Sequence, residues 1–165
     1  MSDSKRRDKE VAIFDLDGTI IDSSHRTPNN LDGTLNLERY RSLKTRENIF
    51  KDTLLPLSDK MRKMYDSGKY HIVICTAREI SQDDLDFLEH HGIKFHEMFN
   101  RSNVRKSHHG RLPDPQYKTK QLKKYKSTAY EFYDDALPII DLFETYPNVK
   151  MVNANTANGV YQDGS

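Results

Sequence analysis

The run Phe14-Asp15-Leu16-Asp17-Gly18-Thr19 sets two carboxylates one residue apart at the end of an apolar stretch, Val11-Ala12-Ile13-Phe14. Successive side chains on a strand point to opposite faces. The two acids can therefore serve one site only where the strand ends and the Gly-Thr turn re-aims the second. One carboxylate is then placed to attack a phosphorus and the other to handle the proton, with a divalent cation between them. The cation is needed because two anions repel, and a metal both screens and aligns them. Gly18 allows the turn, and Thr19 is expected to hold the second carboxylate.

Two further apolar runs end in reactive groups. Ile72-Val73-Ile74-Cys75 leads into Thr76-Ala77-Arg78, a hydroxyl followed by a guanidinium suited to charge-assisted bonds with phosphate. Phe132-Tyr133 leads into Asp134-Asp135, adjacent oxygen donors of the kind that hard cations take. A helix cap before Ala136 explains one of these acids but not both. Between the two runs, Asp114-Pro115-Gln116-Tyr117-Lys118 opens a helix. Asp114 is its expected cap, and Lys118, with Lys120 in second place, its expected cation.

Holding these groups together requires alternating strands and helices. Strands are expected over 11–15, 71–75, 129–133 and 149–152, with a weaker one over 95–99. Helices are expected over 56–67, 80–91, 115–125 and 136–145. Leu57, Met61, Met64 and Tyr65 recur at helical spacing, as do Leu85, Leu88 and His91. Gly68 and Gly92 stand where helices stop. The pattern argues for an α/β fold, a three-layer sandwich with a mostly parallel central sheet. Sites in such folds form at the carboxyl ends of strands, where every motif above falls. Between 20 and 56 the pattern breaks into polar sequence, read as a flap or small cap with a short helix near 37–42. Residues 11–156 then make a single domain, flanked by tails at 1–10 and 157–165.

Composition narrows the class. Of the 165 residues 31% are charged and the net charge is +1, so a globally basic nucleic-acid binder is excluded. Locally, residues 101–126 hold nine Lys/Arg against one acid, Asp114, which marks either an anionic ligand or a solvated helix face. No apolar stretch approaches the roughly 18 residues of a membrane span. The single cysteine, Cys75, rules out an internal disulfide, argues against a disulfide-linked partner and suggests a reducing, cytoplasmic setting. It lies in an apolar run and is expected to be a buried core residue.

Taken in order, Asp-x-Asp-Gly-Thr, the Thr76 strand tip, the helix lysine and the paired acids closely resemble the four motifs of the haloacid dehalogenase (HAD) superfamily of aspartyl-phosphate phosphotransferases. The resemblance implies a HAD-like Rossmannoid fold with Asp15 as nucleophile and Asp17 as general acid–base. It makes Thr76 the ligand of a non-reacting phosphoryl oxygen and Lys118 the neutralising cation. Mg²⁺ would be held by Asp15, the Asp17 carbonyl and Asp134, with Asp135 acting through water or orienting Lys118. His25-Arg26, the Thr76-x-Arg78 pair and Asp114 four residues before Lys118 are further similar to the 3′-phosphatase domain of bacteriophage polynucleotide kinase-phosphatases. That similarity runs over most of 11–152 and implies supporting roles at the substrate for Arg26, Arg78 and Asp114.

No G-x-x-x-x-G-K-[ST] loop is present, so no P-loop kinase accompanies the motifs. The leading expectation is a Mg²⁺-dependent phosphatase removing 3′-phosphates from DNA or RNA ends. The alternative is a (deoxy)nucleoside 5′-monophosphate nucleotidase or another small-molecule phosphatase of the same superfamily. A catalytically silent nucleic-acid- or protein-binding module would show a damaged motif, and none is damaged.

Overall fold

In a computed structural model, which describes residues 9–26, 31, 36–101 and 112–159, the first strand becomes the centre of the molecule. Strand β1 (Glu10–Phe14) is followed by β2 (Ile21–Asp22), which pairs antiparallel with β3 (Thr53–Leu54) in a separate two-stranded ribbon. The main sheet continues with β4 (Tyr70–Cys75), β5 (Glu97–Phe99), β6 (Tyr130–Asp134) and β7 (Val149–Asn153). Its order is β5-β4-β1-β6-β7, parallel throughout. The chain runs outward from β1 to β5, then crosses back over β1 to β6. That reversal opens a crevice at the carboxyl ends of β1 and β6, where Asp15 and Asp134 stand.

Each face of the sheet carries its own core, as the two-residue period of a strand dictates. Ala12, Phe14, Ile72 and Ile74 face one side with Met61, Met64, Phe87 and Leu88. Val11, Ile13, Val73, Cys75 and Phe132 face the other with Tyr125, Ile139 and Phe143. Strands buried on both faces read as unbroken apolar runs, which is why the sequence reveals them. Cys75 is fully buried, and burial pushes its thiol up to about 12.

The helices are α1 (Leu37–Leu43), α2 (Arg46–Ile49), α3 (Leu57–Ser67), α4 (Gln82–His90), α5 (Asp114–Gln121), α6 (Leu137–Phe143) and α7 (Ala154–Ala157). Gly68 ends α3 in the left-handed region at φ 73°. Helix α4 starts two residues later than expected because Ser81 caps it, its hydroxyl accepting from Asp84 N while the Asp84 carboxylate accepts from Ser81 N. The expected 115–125 helix is α5 continued by a 3₁₀ turn, Leu122–Tyr125. Asp114 does not cap α5. Pro113, with extended backbone, holds that position and Asp114 is the first helical residue. Within 20–56 the structure places α1 over the expected 37–42, and adds the β2–β3 ribbon and α2, too short to carry a period in the sequence. Among the described residues no helix is long and apolar enough to cross a membrane.

Candidate active site

Asp15 follows β1 directly and its backbone N–H donates to Tyr133 O at 2.9 Å, which fixes the residue against β6. Beyond it the chain winds tightly, Leu16 O accepting from the N–H groups of Thr19, Ile20 and Ile21. Gly18 sits in this turn at φ 81°, and a Cβ there would lie 2.1 Å from Asp135 Oδ2. Only glycine fits both the conformation and the approach of that carboxylate.

Lys118, on the buried face of α5, reaches down between the two central strands. Its ammonium donates to Asp15 Oδ1 at 3.0 Å and to Asp134 Oδ2 at 2.6 Å, and the residue is 2% exposed. Lys120 is exposed, so helix phase separates the two candidates. Burial alone would lower the Lys118 amine, but the carboxylates of Asp15 and Asp134 override it and hold the amine above its ordinary value. Asp15 also moves upward, but for a different reason: burial, then repulsion from Asp134, raises its carboxyl well above the usual range, with Lys118 opposing. Burial and Asp134 likewise raise Asp135.

Asp15, Asp134 and Asp135 each offer an oxygen within 4.8 Å of the others. Three acids crowded together with one ammonium leave negative charge uncompensated, and an all-oxygen donor set suits a hard divalent cation. The triad could hold a metal ion. Asp134 also accepts from Ala136 N at 3.0 Å, a bond that fixes its second oxygen. The bonds from the Lys118 ammonium go to Asp15 and Asp134, so these two carboxylates, where Asp135 was one expectation, orient it.

Asp17 is held differently from the expectation. Ser23 Oγ donates to its Oδ1 at 3.0 Å and Arg78 Nε donates to its Oδ2. Thr19 instead donates to Asp15 Oδ2, at 3.4 Å. Arg78 is engaged by protein groups as well as lining the cavity: its Nη1 donates to Asp84 Oδ1 at 3.0 Å, so the guanidinium spans two carboxylates. Burial would lower its pKa, but Asp17 and Asp84 drive it up, and the charge is permanent.

A cavity of about 710 Å³ opens over these groups. Asp15, Asp17, Thr76, Arg78, Asp114, Lys118, Asp134 and Asp135 all line it. Thr76 is 2% exposed with its N–H on Phe99 O, at the tip of β4. Tyr40, Arg41 and Lys44, from α1 and the residue after it, form part of the wall. Asp114 accepts from Arg101 Nη2 at 3.0 Å.

Arg26 lies off the cavity. It is 1% exposed and grips Asp52 with Nε and Nη2, the closest contact being 2.7 Å. His25 Nε2 meets the same carboxylate at 2.7 Å. This ties the 3₁₀ turn Ser24–Arg26 to the start of β3 and is a structural pin, where substrate contact was expected. Of the basic stretch, Arg105, Lys106 and Arg111 fall outside the described residues; Lys118 is internal, Arg101 pairs with Asp114 and Lys124 with Glu97.

Sequence reasoning missed Ser23, Asp52, Lys44 and Asp84. Only Asp84 had a signal, the Ser81-x-x-Asp84 capping pattern. The others depend on how 20–56 folds back on the sheet.

A protein-family model described as Bacteriophage T5 5′-deoxynucleotidase matches residues 3–164. The chain belongs to this family. The 5′-deoxynucleotidase of Escherichia phage T5 is 30% identical over 177 residues, covering 93% of this chain and 70% of that protein. The resemblance to a polynucleotide 3′-phosphatase is thus not the one sequence comparison supports, and the family favours the nucleotidase alternative over the end-healing expectation.

Solved structures at lower identity share the fold. A chain of the Pnkp1/Rnl/Hen1 complex aligns with TM-score 0.64 at 18% identity, over 88% of this chain and 45% of that one, so this chain spans under half its length. A HAD-superfamily hydrolase from Geobacter sulfurreducens aligns with TM-score 0.59 at 17% identity, over 88% and 89%. A haloacid dehalogenase-like family protein from Streptococcus pneumoniae aligns with TM-score 0.58 at 14% identity, over 94% and 100%. The fold is that of a HAD-superfamily hydrolase.

Proposed function

We propose that this chain is a Mg²⁺-dependent 5′-deoxynucleotidase, hydrolysing deoxynucleoside 5′-monophosphates to deoxynucleoside and phosphate through an aspartyl-phosphate on Asp15. The observation that carries the reading is Asp15 itself. One of its oxygens is bonded to the buried Lys118 ammonium and the other to Thr19, at the floor of a cavity of about 710 Å³. That volume lies within the range of small-molecule sites. The likeness to the phage T5 enzyme supports the substrate class.

Asp15, Asp134, Asp135 and the Asp17 carbonyl are the groups that would hold Mg²⁺, and the bound ion supplies positive charge against the phosphate oxygens. Asp15 attacks the phosphorus, the bond to the 5′-oxygen breaks, and Asp17 gives that oxygen its proton. Asp17 then takes a proton from water as the water attacks the phospho-aspartate, releasing phosphate and restoring Asp15. Lys118 opposes the burial that raises Asp15, favouring its ionised form, and with the Thr76 hydroxyl holds the phosphoryl oxygens. The 20–56 segment acts as a flap over the sugar and base.

The test is phosphate release from deoxynucleoside and ribonucleoside 5′-monophosphates, beside a 3′-phosphorylated oligonucleotide, with EDTA and Asp15→Asn as controls. Preference for the deoxynucleotides, lost in both controls, is expected. Selective release from the oligonucleotide end would replace the reading with a polynucleotide 3′-phosphatase.

A further inference from the structure

Asp84 lies outside the cavity lining and outside every motif, yet it is 3% exposed and carries two distinct tasks on its two oxygens. Oδ2 accepts from Ser81 N at 2.8 Å and Ser81 Oγ at 3.0 Å, which completes the cap of α4. Oδ1 is left over for Arg78 Nη1 at 3.0 Å. A helix cap needs only the first. The second places a buried charge against a buried guanidinium, an arrangement that costs desolvation on both sides and contributes only where the geometry matters. The other edge of Arg78 fastens Asp17 Oδ2, while Ser23 fastens Oδ1, so both oxygens of the acid–base group are fixed. Lys44 joins from the cavity wall, its Nζ 3.9 Å from Asp84 Oδ2 and 3.0 Å from Glu79 O.

We infer that Asp84 is a positioning residue for proton transfer: through Arg78 it sets the orientation in which Asp17 faces the reacting phosphorus. This rests on the aspartyl-phosphate reading. In the second half-reaction a water oxygen bonds to phosphorus, the bond to the Asp15 carboxylate breaks, and Asp17 accepts the water proton. An Asp17 turned away by a loosened Arg78 leaves that water unactivated. The first half-reaction is spared when the leaving group needs no proton.

Asp84→Asn is the informative variant. Its amide oxygen still accepts from Ser81, while its NH₂ confronts Arg78 donor to donor. With p-nitrophenyl phosphate, whose nitrophenolate leaves unprotonated, the variant is expected to give a burst of about one equivalent per site. Turnover then follows about tenfold or more below wild type. Ser81→Ala, which weakens the same cap but leaves Arg78 paired, is expected to lower the melting temperature by a few degrees and leave turnover unchanged. Asp84→Asn that turns over like wild type overturns the inference. So does one whose burst and turnover fall together, since that is the signature of a partly unfolded enzyme. If wild type itself releases no nitrophenolate, the phosphatase reading fails and the role of Asp84 falls with it.

Discussion

Replacing Lys118 with methionine keeps a similar side-chain volume and removes the ammonium between Asp15 and Asp134. The two bonds span 3.0 and 2.6 Å and the side chain is 2% exposed, so solvent screens neither. A charge-assisted bond contributes about 1.5–3 kcal/mol, and breaking a buried pair costs about 3–5 kcal/mol because the remaining charge is left uncompensated. The expected loss of stability is therefore about 3–5 kcal/mol at pH 7.5 in EDTA. The loss must also depend on pH. Asp15 already stands above the usual carboxylate range, by burial and by Asp134, with Lys118 opposing. Without Lys118 it rises further, so the folded variant keeps a proton that the unfolded chain releases. Stability then falls as pH rises, and the deficit against wild type should shrink towards pH 5. Urea unfolding followed by circular dichroism at both pH values, in EDTA, measures this. Adding Mg²⁺ at pH 7.5 should restore more stability to the variant than to wild type, since it replaces the missing charge. A deficit below about 1 kcal/mol at both pH values, the range of an exposed pair, would refute the reasoning.

Three other outcomes are expected. Gly18→Ala meets Asp135 Oδ2 at 2.1 Å in the left-handed region. Titration calorimetry should show weakened Mn²⁺ or Mg²⁺ binding, with about 1–2 kcal/mol of stability lost to the backbone alone. Arg26→Met should cost up to about 3–5 kcal/mol by urea unfolding, because it leaves buried Asp52 with His25 in place of a permanent cation. It should leave KM for nucleotide unchanged, because Arg26 lies off the cavity. Cys75, with its thiol pushed up to about 12 by burial, should resist a thiol reagent at pH 8 in the native enzyme and react fully in urea.

The parts of the molecule legible in the sequence share a physical cause. Strands β1, β4 and β6 are buried on both faces, so they read as apolar runs, and the groups at their tips, Asp15, Thr76 and Asp134, could be placed from the runs alone. Lys118 against Lys120 was a question of helix phase, and the packing of Tyr117 and Lys118 against the sheet decides it. What stayed hidden depends on contacts between distant segments. Arg26 meets Asp52 and Arg78 meets Asp84 and Asp17 through loops whose short elements carry no periodicity. Asp114 was misread because a residue type that favours caps was taken as the cap, while the backbone of Pro113 already filled the position.

The register of β1 has a consequence for biosynthesis. Val11–Phe14 is apolar throughout, and one of its two neighbours in the sheet, β6, is made long after it during translation. Until Tyr130–Asp134 leaves the ribosome, that edge of the nascent chain stays unpaired. Long-range parallel pairing of this kind folds slowly and is open to aggregation. The same late segment delivers Asp134 and Asp135, and Lys118 comes shortly before it, so a nascent chain holds Asp15 without the triad that would bind metal. Hydrolytic competence therefore arrives together with the closing of the sheet, and a half-made chain lacks the groups the chemistry needs.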